Sequence, residues 1–186
     1  HALQKNPDIT VVVHDNEIYA LTKGQASPTT PYGEKRTLQI HGVDIAPLNM
    51  PAVAILHGCT FVARGFAGDV DHLKDIFVKA IRHRGLSCVD VIQPCITWGT
   101  HPVSWYKERV FQLGNDYDPA DRAVALDTVV SKSEKIPIGI LYQEESRKTF
   151  AHRFRNEISK GPLMSSELPA MESMESILSE FRAGKN

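Results

Sequence analysis

The sequence is short of the features that would settle its class at once. It holds only three cysteines, Cys59, Cys88 and Cys95, with no CxxC pair. That excludes a disulfide framework and fits a reducing, cytoplasmic setting in which thiols stay free or bind metal. No apolar run approaches the roughly 18 residues a bilayer span needs; the longest, such as Ile9 to Val13, are strand-sized. There is no basic surplus. Lys and Arg number 21 against 22 Asp and Glu, a formal net charge of −1, which argues against a general nucleic-acid binder. HExxH, GxSxG and Walker A patterns are absent, and Gly65-Phe66-Ala67-Gly68 is too weak to name a dinucleotide site. No secretory signal opens the chain and position 1 is His. His1 to Asn6 reads as the end of a helix already under way, so the natural N-terminus is expected to be missing.

What is present reads as an α/β protein. Ile9-Thr10-Val11-Val12-Val13-His14 is a β-branched run, expected to be a buried strand of a parallel sheet. The polar stretch after it lies where open α/β sheets bind ligands. Pro47 and Pro51 keep any helix before Leu56 short. Thr60 to Gly65 and Ser87 to Ile92 read as two further strands. Between them Leu73, Ile76, Phe77, Ala80 and Ile81 follow helical spacing, with Asp69 as N-cap and Gly85 as the stop. Strand, helix, strand implies a parallel crossover. Val103 to Phe111 and Pro119 to Val130 read as helices. Ile136 to Tyr142 reads as a late strand, at a sheet edge because of Pro137. The expected architecture is an open, mostly parallel sheet with helices on both faces.

Four blocks in order carry a resemblance. They are Asp15-Asn16-Glu17-Ile18-Tyr19-Ala20-Leu21-Thr22-Lys23-Gly24-Gln25, then Gly58 to Gly65, then Ser87 to Trp98 with its Pro94-Cys95, and Ile136 to Tyr142. Together they resemble the C-terminal part of 2-oxoacid:ferredoxin oxidoreductase beta subunits. The resemblance implies a thiamine-diphosphate-binding fold, incomplete at its N-terminus, over residues 1–145. A C-terminal extension, helical or partly disordered, follows over 146–186.

The resemblance also implies the site. Mg²⁺ prefers hard oxygen ligands, and the family pattern assigns it the Asn16 side-chain oxygen and the Ile18 carbonyl. Tyr19, Thr22 and Gln25 would border thiamine diphosphate. Leu21 and Lys23 would line the 2-oxoacid pocket, with the Lys23 ammonium facing a substrate carboxylate; on residue grounds alone Lys23 reads equally well as a solvated loop charge. Cys95 would be the fourth thiolate of a [4Fe-4S] cluster, against the plainer reading of a free thiol. Cys59 and Cys88 sit in apolar sequence and read as core. His14 reads as a packed strand-end histidine next to the cofactor loop. The implied function is oxidative decarboxylation of a 2-oxoacid, such as pyruvate or 2-oxoglutarate, to an acyl-coenzyme A. Ferredoxin would accept the electrons and an alpha subunit would complete the site. The family's upstream Gly-Asp-Gly and its other three cluster cysteines are absent from this sequence, so these residues alone are expected to be inactive. Two alternatives stand beside this reading: a non-redox thiamine-diphosphate decarboxylase subunit, and a non-catalytic assembly module.

Overall fold

The computed structural model describes residues 1–131 and 133–153, with Glu175, Leu178, Ser179 and Arg182 near the C-terminus. The chain divides into two compact units, His1–Phe150 and Ala151–Asn186. Most of the expected C-terminal extension lies outside the described residues. The elements in order are α1 (Ala2–Lys5), β1 (Thr10–Asp15), β2 (Ile18–Tyr19), β3 (Gln25–Ala26), α2 (Met50–Leu56), β4 (Phe61–Phe66), α3 (Val70–Arg82), β5 (Ser87–Ile92), α4 (Val103–Arg109), β6 (Val110–Gln112), α5 (Arg122–Val130), β7 (Ile136–Gln143) and α6 (Phe150–Arg153).

Five strands form one sheet in the order β1-β5-β4-β7-β6, and β2 pairs with β3 in a separate hairpin. β1, β5 and β4 run parallel, β7 runs antiparallel to β4, and β6 runs parallel to β7. The sheet is mixed and mostly parallel, as the sequence implies. Alternation along the strands assigns the two faces. Val62, Cys88 and Leu141 pack with Ala52, Ile55, Ala125 and Val129 of α2 and α5. Phe61, Ala63, Val89 and Val91 pack with Ile76 and Ala80 of α3 on the other side. Helices therefore cover both faces.

Helices α2, α3 and α5 each start at a side-chain cap, which satisfies an otherwise unpaired N–H. Asp69 accepts from His72 N at 3.3 Å, and Asp121 accepts from Ala123 N at 2.8 Å and Val124 N at 3.1 Å. Asn49 accepts from Ala52 N at 3.1 Å while its amide donates to the Val129 carbonyl at 2.6 Å, which ties α2 to α5. Pro51 sits in the first turn of α2, where a missing N–H costs nothing.

Four expectations need correction. β1 is not buried here: among the described residues it lies at one edge of the sheet, with Val11, Val12 and His14 exposed. A β-branched run says strand, but not which strands flank it. β7 is not at an edge either, since it lies between β4 and β6. The β4 pairing begins only at Gly139, so at Pro137 β7 is paired on one side alone, and the proline is locally at an edge. The helix at Val103 ends at Arg109, and Val110–Gln112 joins β7 as a strand too short for its period to show in sequence. Gly85 does not cap α3, which ends at Arg82 with His83 extended. Gly85 has φ +131°, and a Cβ there would meet Asn6 Oδ1 and Thr60 Oγ1 at 2.7 Å. It is glycine because fully buried Asn6 occupies that space, accepting from Leu86 N and Thr60 Oγ1, each at 2.8 Å.

Candidate functional site

Parallel pairing of β1 with β5 sends the loops after both strands out at one end of the sheet, where such sheets hold ligands. Asp15 is in register with Ile92, and Gln93 N donates to the Asp15 carbonyl at 2.8 Å. The Asn16 loop and the Cys95 loop therefore leave the sheet side by side.

The first loop is fixed by its own polar groups. Asn16 Oδ1 accepts from Ile18 N at 3.1 Å, the local turn that Asn favours. Asp15 Oδ1 accepts from Thr29 Oγ1 at 2.6 Å and from Glu17 N at 3.2 Å. Thr30 Oγ1 donates to the Glu17 carbonyl at 2.6 Å. Glu17 and Lys23 both lie in the left-handed region, at φ 58° and 73°. Glu17 Oε2 accepts from the Tyr106 hydroxyl at 3.0 Å. Burial pushes the Glu17 carboxyl above its usual range, and the Tyr106 bond pulls it back in part. Burial and the neighbouring Glu17 push the Tyr106 hydroxyl upward as well.

A cleft of about 780 Å³ opens beside this loop. Asn16, Ile18, Tyr19, Leu21 and Thr22 all line it, together with Val13, His14, Thr29, Leu48 and Met50. His14 is exposed on this wall rather than packed, and its Nδ1 lies 2.6 Å from Gln93 Oε1. Gln25 stands behind the wall. Its Nε2 donates to the Thr22 carbonyl at 2.6 Å, and its Oε1 accepts from the Thr22 hydroxyl. Lys23 does not line the cleft; it is exposed, and its carbonyl accepts from Thr37 Oγ1 at 2.9 Å.

The Cys95 loop lies against the other side. Cys95 is half-buried, and its Sγ accepts from Trp98 N at 3.4 Å. Arg36 donates to the Trp98 carbonyl at 3.0 Å and to the Thr100 hydroxyl. A Cβ on Gly24 would come within 3.1 Å of the Trp98 ring. Cys59 and Cys88 are core thiols, as expected, and burial pushes them up to about 11 and about 12.

The donor set suits Mg²⁺ and thiamine diphosphate in part. Asn16 offers a hard amide oxygen with a second lone pair beyond the one its turn uses, and Ile18 offers a carbonyl. For an iron–sulfur cluster the chain fits one corner. Four thiolates are needed, Cys95 could offer one, and the other two cysteines are buried elsewhere. Among the described residues, no group of three or more His, Cys, Asp or Glu side chains converges on a metal position.

Sequence reasoning misses Asp15, Glu17, Thr29, Arg36 and Tyr106 as parts of the site. Asp15 and Glu17 stand inside the motif, where adjacency to Asn16 is the only signal that could have marked them. Tyr106 lies 89 positions from Glu17 and carries no local signal.

Comparisons with known proteins show what the chain is similar to. Residues 1–91 match the family model for the thiamine pyrophosphate enzyme C-terminal TPP binding domain. Residues 95–157 match the C-terminal model of the pyruvate ferredoxin oxidoreductase beta subunit. The chain is 43% identical over 163 residues to a 2-oxoacid:ferredoxin oxidoreductase subunit beta of Saccharolobus solfataricus, covering 81% of this chain and 53% of that one. Subunit beta of an Aeropyrum pernix 2-oxoacid:ferredoxin oxidoreductase is 39% identical over 163 residues, 81% of this chain and 51% of that one. Among solved structures, a 2-oxoglutarate:ferredoxin oxidoreductase from Magnetococcus marinus, with 2-oxoglutarate, coenzyme A and succinyl-CoA bound, superposes with a TM-score of 0.84. It is 27% identical, over 96% of this chain and 60% of that one. The chain thus spans about half the length of the curated relatives it matches.

Proposed function

This chain belongs to the family of 2-oxoacid:ferredoxin oxidoreductase beta subunits, and from that membership we propose that its cleft is the thiamine-diphosphate site of an enzyme oxidising 2-oxoacids to acyl-coenzyme A. One observation carries the reading. Asn16, Ile18, Tyr19, Leu21 and Thr22 share one cleft at the end of β1, and the Cys95 loop leaves the neighbouring strand beside it. When bound, thiamine diphosphate supplies the electron sink for loss of the substrate carboxyl group.

The chain's own residues have separable tasks. Asn16 Oδ1 and the Ile18 carbonyl would hold Mg²⁺, and Tyr19 and Thr22 would border the cofactor. Gln25 acts through Thr22, keeping its hydroxyl turned. Leu21 is 98% exposed in this chain and offers an apolar wall to the substrate side group. Lys23 is exposed outside the cleft wall, so the substrate-carboxylate role that the resemblance implies for it has no support in this geometry. Cys95 would supply one thiolate to an iron–sulfur cluster.

An alpha subunit is the expected partner on the open side of the cleft. Leu21, Leu38, Ile40, Ile45 and Ile96, in the loops that follow β1 and β5, are each at least 66% exposed and offer apolar contacts to such a partner. An alpha subunit seated over them would also exclude water from the reaction. Ferredoxin is the electron acceptor in this reading, and the complex works in the cytoplasm. Among the described residues no helix is long and apolar enough to cross a membrane.

The test is anaerobic, coenzyme-A-dependent viologen reduction by the complete beta chain with its alpha partner, with pyruvate and 2-oxoglutarate in turn. Reduction with one of them is expected, together with its loss in Asn16→Ala and in Cys95→Ala. A folded, cluster-loaded complex that reduces viologen with neither acid would overturn the activity. Reduction unaffected by Asn16→Ala would overturn the assignment of this cleft.

A further inference from the structure

We infer that Tyr106 is a positioning residue for the cofactor loop. Through its bond to Glu17 it sets the backbone of Asn16 and Ile18 from the side of the Cys95 segment. The inference rests on the cofactor reading above and adds a residue to it.

Glu17 separates the two proposed Mg²⁺ ligands in sequence, so its conformation sets their spacing. That conformation is unfavourable by itself: a non-glycine residue at φ 58° persists only where its surroundings over-determine it. Three contacts do so. The Glu17 N–H donates to Asp15 Oδ1 at 3.2 Å, and its carbonyl accepts from Thr30 at 2.6 Å. Both partners belong to the loop and its immediate return. The third contact, from the Tyr106 hydroxyl to Glu17 Oε2 at 3.0 Å, comes from α4, eleven residues beyond Cys95.

Tyr106 is suited to act as a fixed post. It is 5% exposed and packs with Phe66, Ile92 and Ile138 of three sheet strands, and its ring meets that of Trp105 edge-on at 4.9 Å. Two further contacts tie the same segments together: Trp98 against Gly24, and Arg36 on the Trp98 carbonyl. The cofactor loop is thus keyed to the segment that carries Cys95, and Tyr106 is the key that reaches the ligand-bearing turn.

The experiment uses the complete beta chain in its native assembly, with Tyr106→Phe, Glu17→Ala, Glu17→Gln and the Tyr106→Phe/Glu17→Ala double variant. The dissociation constant for thiamine diphosphate with Mg²⁺ is measured by calorimetry. Amide hydrogen exchange over residues 16–22 is measured without cofactor. Tyr106→Phe and Glu17→Ala should each weaken cofactor binding about tenfold or more, the size expected for a hydrogen bond to a charged group. Both should speed exchange in the loop. The double variant should be no worse than either single one. Glu17→Gln, whose amide oxygen can accept the same hydroxyl, should stay near wild type. Turnover at saturating cofactor should change less than the cofactor affinity does. If the wild type binds and Tyr106→Phe binds equally well with unchanged exchange, the proposal falls alone, even where the variant melts earlier. If the wild type binds no thiamine diphosphate, the cofactor reading falls and takes the proposal with it.

Discussion

Residues 61–92 and residues 15–49 of the same unit are held by different forces. In β4-α3-β5 apolar burial dominates: all six residues of β5 are buried, and so are five of six in β4. Between positions 15 and 49 only Ile18, Gly24, Thr30 and Val43 are buried. That stretch keeps its shape by hydrogen bonds, such as Gly33 N to the Val43 carbonyl at 2.7 Å and Leu48 N to the Pro28 carbonyl at 2.8 Å. Apart from Ile18 and Val43, most of its large apolar side chains, such as Leu21, Leu38 and Ile45, are left outward. The contrast separates scaffold from site. A packed core tolerates little movement, whereas a polar loop on a rigid sheet can present ligands and receive a partner.

The largest expected effect breaks the scaffold at the ion pair buried between β4 and β5. Arg64 and Asp90 pair across β4 and β5 at 2.9 Å with side chains only 13% and 4% exposed. Burial pushes the Asp90 carboxyl up, and Arg64 opposes that shift. Arg64→Leu leaves a buried carboxylate without its counter-ion and should cost about 3–5 kcal/mol in denaturant unfolding. Adding Asp90→Leu should recover most of that loss, because desolvating the pair offsets much of its attraction.

A pair of alanine substitutions sharpens the comparison. Ile55→Ala empties a fully buried position under the sheet and should cost about 2–5 kcal/mol. Leu21→Ala should stay within about 0.5 kcal/mol of wild-type stability, yet weaken assembly or substrate use in the complex. A large stability loss at Leu21 would mean that the loop belongs to the core after all.

The smallest effect is a pH dependence at the far end of the sheet. His83 is partly buried, with Nε2 2.9 Å from Thr60 Oγ1, and burial holds its pKa below the ordinary value, against the weaker pull of Glu145 and Asp8. The folded chain therefore prefers neutral His83. Its contribution is present above the unfolded pKa of about 6.5 and is lost as pH falls from there through the lowered folded value. Urea midpoints at pH 7.5 and 5.5 should differ more for the wild type than for His83→Gln.

Local pattern is enough for most elements. β5 is marked by its apolar, β-branched run, and α3 by its spacing and the Asp69 cap. The Asn16 block is legible because turn-forming and ligand-type residues stand next to one another. β6 is not legible, since three residues cannot display a period. The position of β1 at the edge and of β7 inside the sheet is not legible either, because a strand's sequence records its two faces and not its two neighbours.

The sequence by itself determined which segments become most of the strands and helices, and that the turn after β1 carries an amide oxygen and a carbonyl two residues apart. Periodicity and short-range hydrogen bonding act within a few residues, so they can be read there. Only the tertiary structure decided that β5 lies beside β1, that the Cys95 loop therefore opens next to the Asn16 loop, and that Tyr106 reaches Glu17. Those pairings join residues some 77 to 89 positions apart, and they are chosen by how whole faces bury against one another, which no local stretch of chain specifies.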